Sequence, residues 1–170
     1  DFTGLVAANG PAVVNITVAH KPEKTSHGGM PQGMGPDNPL FRHFGPFGMP
    51  APQDPTPARG QGSGFIVSPD GLILTNAHVI ADASEVTVKL TDKREFHAKV
   101  IGVDRPTDVA VIKIAAENLP TVKLGNADEL KVGEWVVATG SPYGFESTVT
   151  SGIVSAKART LPDETYVPFL

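Results

Sequence analysis

Short runs rich in apolar and β-branched residues, bounded by turn signals, recur along most of this chain, a pattern of strands rather than of helices with their 3.6-residue spacing. The pattern predicts strands over residues 12–19, 64–67, 72–75, 85–90, 95–103, 108–114, 134–138 and 148–157. Between them stand the turn signals Ser68-Pro69-Asp70-Gly71, Thr91-Asp92-Lys93 and Ser141-Pro142-Tyr143-Gly144, each supplying Gly, Pro or Asp where the chain must reverse. Helical spacing is confined to three places. In residues 1–10, Phe2, Leu5 and Val6 precede the stop signal Gly10-Pro11, and brief turns fall at 77–80 and near 128–130. The expected fold class is all-β, a sandwich or barrel of antiparallel strands.

Composition changes the picture in one segment. Of the 41 residues from Lys21 to Gln61, 16 are Gly or Pro, a low-complexity share that predicts a long mobile loop. The loop also carries Met30, Met34, Met49, Leu40, Phe41, Phe44 and Phe47. A pure spacer has no need of these side chains, and both transient collapse and docking near a cleft account for them. A length of 170 residues suits one ordinary domain, or one small barrel with part of a second. The net charge of −4, with Lys and Arg scattered rather than clustered, argues against nucleic acid as a partner. The absence of cysteine excludes disulfides, thiol nucleophiles and Cys-based zinc sites. The histidines lack partners at metal-ligand spacing, so no metal is expected. No apolar run approaches the roughly 18 residues a membrane span needs, and the start lacks the basic and apolar regions of a signal peptide. A soluble chain, already processed, is expected, with no stable membrane insertion.

Of the five histidines, His20, His27 and His43 flank or lie in the Gly/Pro-rich loop, and His97 alternates with Phe96 and Ala98 toward solvent. His78 follows the apolar strand Leu72-Ile73-Leu74-Thr75, so a short turn at Asn76-Ala77-His78-Val79 sets its imidazole at a strand end. A histidine there is compatible with a structural role as well as with catalysis. Asp108 heads the apolar run Val109-Ala110-Val111-Ile112-Lys113-Ile114. Its carboxylate, partly buried, needs donors, which either backbone N–H groups or a histidine Nδ1–H would supply. Spacing alone does not bring His78 and Asp108 together.

Five motifs in order carry a resemblance beyond spacing. Gly62-Ser63-Gly64-Phe65-Ile66-Val67, Leu74-Thr75-Asn76-Ala77-His78-Val79, Asp104-Arg105-Pro106-Thr107-Asp108-Val109-Ala110-Val111-Ile112-Lys113, Gly140-Ser141-Pro142-Tyr143-Gly144 and Thr148-Val149-Thr150-Ser151-Gly152-Ile153-Val154-Ser155 resemble the successive motifs of HtrA-type (DegP/DegQ-like) serine proteases. The resemblance implies a trypsin/chymotrypsin-like double β-barrel, with His78 as general base and Asp108 as the residue that orients it. It implies a helical segment at 1–11, a first barrel at 12–119 interrupted by the regulatory loop 21–61, and the start of a second barrel at 120–170. The family's nucleophile lies in a Gly-Asn-Ser-Gly-Gly motif downstream of the segment matching Thr165-Tyr166-Val167-Pro168-Phe169-Leu170. The second barrel is therefore expected to be truncated before the serine, and the chain inactive alone. Ser63 and Ser141 align with non-nucleophilic segments.

The function so implied is ATP-independent endopeptidase action on unfolded or misfolded polypeptides, in the periplasm, by a homo-oligomer of trimers or their multiples, with no cofactor. The family usually carries C-terminal PDZ domains, which residues 1–170 do not include. An alternative from a different class is a non-catalytic chaperone or binding module for non-native chains. A third is a fragment that only regulates or assembles with an intact protomer.

Overall fold

The computed structural model describes residues 1–21, 59–141 and 147–157, and the backbone of 159–161 and 164–169. Most of the expected loop 21–61, the apolar residues within it, His27, His43 and the greater part of the turn at 141–144 lie outside the described residues.

A short helix α1 (Thr3–Asn9) opens the chain and runs into a tight 3-10 turn, Gly10–Ala12. The helix ends at Asn9, with Gly10 still right-handed at φ −53°, and Gly10-Pro11 then turns the chain. Strand β1 (Val13–Ala19) follows. Next come β2 (Arg59–Ser68), β3 (Leu72–Thr75), α2 (Ala77–Ile80), β4 (Glu85–Lys89), β5 (Glu95–His97), β6 (Lys99–Asp104) and β7 (Val109–Lys113).

These seven strands form one antiparallel sheet in the order β5-β4-β1-β2-β3-β7-β6. The terminal strands β5 and β6 are joined through a single residue, Ala98, so the sheet curls until its two ends share one stretch of chain. The Ala98 N–H donates to the Val86 carbonyl (2.8 Å). The predicted strand 95–103 is thus two strands, each half serving a different neighbour. β2 begins five residues earlier than the sequence pattern predicts, because β1 offers Arg59, Gly60 and Gln61 the pairing partners Ala19, Val18 and Thr17.

Alternation places Val14, Ile16 and Val18 of β1, Ile66, Ile73, Val86, Val88, Ala110 and Ile112 on the inner face, with Ile80 of α2, Ile114 and Leu119 closing the core. Ile16, Ile66, Ile73 and Ile112 are fully buried. Each contributes about 1.5–3 kcal/mol by leaving water. The β2–β3 turn requires glycine. Gly71 has φ +97°, and a Cβ there would lie 2.4 Å from the Ile114 carbonyl oxygen. Gly71→Ala is expected to cost roughly 1–3 kcal/mol from overpacking, beside the left-handed backbone penalty. An unshifted denaturant midpoint would show that β7 yields freely at Ile114.

A second sheet is the hairpin β8 (Trp135–Gly140) and β9 (Thr148–Ile153), paired from Trp135↔Ile153 to Gly140↔Thr148. β9 stops short of the predicted 157, and Lys157 instead caps the short turn Ala127–Glu129, donating to the carbonyls of Asp128 (2.8 Å) and Leu130 (2.7 Å). A further pair, β10 (Arg159–Leu161) with β11 (Glu164–Phe169), was not legible from the sequence pattern. The fold class is all-β, a curled seven-stranded sheet with two separate two-stranded sheets among the described residues.

Candidate active site

β3 ends at Thr75, Asn76 stays extended, and α2 turns for four residues. Ala77 and Ile80 are buried and anchor that turn in the core. This leaves His78 outward, with its side chain 72% exposed. Asp108 sits in the turn between β6 and β7 at φ +55°, one residue before β7 begins. Aspartate tolerates this left-handed backbone better than most residues, yet it needs support.

The support comes from α2. The Asp108 carbonyl accepts from the Ala77 N–H (3.1 Å) and from Asn76 Nδ2 (3.1 Å). Its carboxylate then meets His78 twice: Oδ1 accepts from the His78 backbone N–H (2.9 Å) and Oδ2 lies 2.6 Å from His78 Nδ1. A carboxylate can only accept, so Nδ1 carries a proton, and in the neutral ring Nε2 is then the nitrogen with the lone pair. These bonds, the backbone N–H first and the imidazole second, hold the Asp108 carboxyl below its ordinary value against the opposing effect of burial. Among the described residues, nothing hydrogen-bonds to Nε2. The pair opens on a hollow of about 340 Å³ bordered by Ala81, Val103 and Arg105.

The structure brings together His78 and Asp108, the two residues that the sequence singles out. The other described histidines are engaged elsewhere. His20 Nδ1 contacts the Asp82 carbonyl (3.2 Å), and His97, exposed, pairs with Glu85 (3.0 Å). Ser63 Oγ accepts from the Ser141 N–H (2.9 Å), and neither serine is a partner of His78. Sequence reasoning missed Asn15, a buried amide in the aliphatic strand β1, and Asn76, whose side chain props the Asp108 turn. A lone Asn inside Val13-Val14-Asn15-Ile16 was the available signal for the first.

A curled antiparallel sheet thus brings a histidine just beyond β3 against an aspartate from the β6–β7 hairpin. The model of the trypsin-like peptidase domain matches residues 62–169, and the chain belongs to that family. Among the proteins the chain is similar to are HtrA-type and DegP-like proteases. It is 55% identical over its whole length to a probable periplasmic serine endoprotease DegP-like of Hahella chejuensis, of which it covers 36%. It is 51% identical to the one of Ectopseudomonas mendocina, again over the whole of this chain and 37% of that protein. A solved HtrA-type protease, AlgW with tripeptide, superposes with TM-score 0.73 at 31% identity over 99% of this chain and 44% of the other. The chain spans little more than a third of the curated relatives it matches.

Proposed function

We propose that residues 1–170 supply the general base and its orienting carboxylate to a serine endopeptidase that cleaves polypeptides. The observation that carries this reading is the His78–Asp108 pair: Nδ1 is bound to a carboxylate at 2.6 Å and Nε2 is left with its lone pair facing solvent. In such an arrangement Nε2 takes the proton of a serine hydroxyl as its oxygen attacks a peptide carbonyl. The proton then passes to the leaving amine as the C–N bond breaks, and water later hydrolyses the acyl-enzyme with His78 again as base. Asp108 holds the ring and stabilises the imidazolium throughout.

We assign the nucleophile to a serine outside residues 1–170, on the resemblance that places it in a Gly-Asn-Ser-Gly-Gly motif, a motif this sequence does not contain; Ser63 Oγ is meanwhile engaged as acceptor for the Ser141 N–H. On this reading residues 12–119 are the first barrel, 120–170 begin the second, and these residues alone do not cleave protein. The names of the relatives support a periplasmic setting. Unfolded chains as substrates and a homo-oligomeric whole protein complete the proposal.

The test is labelling of the natural full-length protein with a fluorophosphonate, which reacts with an activated serine. The expected result is one labelled serine outside residues 1–170, with labelling abolished by His78→Ala. A folded full-length protein that takes no label, or takes it at Ser63 or Ser141, overturns the reading.

A further inference from the structure

Asn15 is the anomaly of the first sheet. Its neighbours Val13, Val14 and Ile16 are buried aliphatics, and it is itself 4% exposed. A buried amide is tolerated only when its polar atoms are bonded. Its Oδ1 accepts from Thr17 Oγ1 (3.3 Å), and its Nδ2 donates to the carbonyl of Ser141 (2.7 Å) and, at 3.5 Å, to that of Gly62. Ser141 directly follows Gly140, the last residue of β8 in the second sheet. Its N–H is held too, by Ser63 Oγ (2.9 Å). Both backbone groups of the residue that follows β8 are therefore fixed by side chains of the first sheet.

The same residues reach His78. Ser63 O accepts from Thr75 Oγ1 (2.8 Å), three residues before His78. Gly62 lies so close to α2 that a Cβ on it would stand 2.6 Å from Cγ1 of Val79, the residue after His78. A continuous path of hydrogen bonds and packing thus runs from the end of β8, through Asn15, Gly62 and Ser63, to both sides of the histidine.

We propose that Asn15, with Ser63, is a positioning residue: it sets the second sheet against the helical turn that carries His78, and so sets the distance between the base and a nucleophile held by the second sheet. This rests on the reading of His78 as the base of a serine peptidase. Misplacement of reacting groups by about 1 Å typically lowers rate by roughly 10²-fold.

The experiment uses the full-length protein with Asn15→Leu, Ser63→Ala and the double variant. Four quantities are measured: the fluorophosphonate labelling rate constant, kcat per labelled site and KM on a peptide, and the thermal midpoint. Counting by labelled site separates mispositioned enzyme from unfolded enzyme. Asn15→Leu is expected to lower kcat per labelled site by about 10²-fold with KM within about 2-fold. Ser63→Ala is expected to lower it several-fold, and the double variant by less than the product, because both side chains hold the same residue. Should Asn15→Leu fail to fold, Ser63→Ala carries the test alone. Wild-type kcat per labelled site in the variants that fold overturns the proposal, including the case where only the thermal midpoint falls. Failure of the wild-type protein to label sinks the peptidase reading instead.

Discussion

Replacing His78 by alanine in the full-length protein is expected to lower kcat on a peptide substrate by on the order of 10⁶-fold. A serine hydroxyl is a poor nucleophile at neutral pH, and its activation depends on a base that can take the proton during attack. The ring is exposed and outside the core, so the thermal midpoint should stay within about 3 °C of the wild type. Steady-state kinetics with calorimetry on the same preparation check both halves. A variant that keeps substantial activity would remove His78 from the chemistry, and one that unfolds would give it a structural role.

Asp108→Asn should be the more instructive change, with an expected loss of about 10⁴-fold in kcat. Asparagine tolerates the left-handed backbone at this position, and its carbonyl oxygen can still accept from the His78 backbone N–H. Its amide group, however, faces Nδ1 with a donor. The ring then presents Nδ1 as acceptor and carries its proton on Nε2, where a base is needed. Acid dependence separates the variants further. Because the folded-state carboxyl of Asp108 is depressed, its contribution is fully present above the ordinary carboxyl value near about 3.9 and fades as pH falls through the lower, folded value. The Nδ1-bound proton resonance of the wild type should persist down to about pH 4 and be lost below it. Disappearance of that resonance well above pH 4 would mean that Asp108 is not the partner holding the ring.

What could be read without the structure was local. Residues 72–75 and 77–80 have the bounds the sequence predicts, because Leu72-Ile73-Leu74-Thr75 is a short apolar run set between the Ser68–Gly71 turn and Asn76. His78 and Asp108 stood out because a titratable group beside an apolar strand needs a partner. That the two meet at 2.6 Å depends on β3 lying next to β7, a pairing between residues more than thirty positions apart. The split at Ala98 was hidden for the same reason, since Glu95–His97 and Lys99–Asp104 read as one run until their different neighbours are known. Asn15 was passed over because its value lies wholly in Ser141, at a separation of 126 residues. The left-handed turn at Asp108 depends on donors supplied by Asn76 and Ala77, which no local propensity encodes.

The passage of the chain through Ala98 bears on self-association. The outer rows of unpaired backbone groups that a sheet presents are templates for a foreign strand, and long straight ones are hazardous. Here one such row is only the length of Glu95–His97, and the other, Lys99–Asp104, is broken by a register shift between Val100 and Gly102. The bend at Ala98 prevents the two from adding into a single straight margin. Val100, Ile101 and Val103 stand exposed on this short, kinked rim, which offers a foreign strand a poorer template than a long straight edge would.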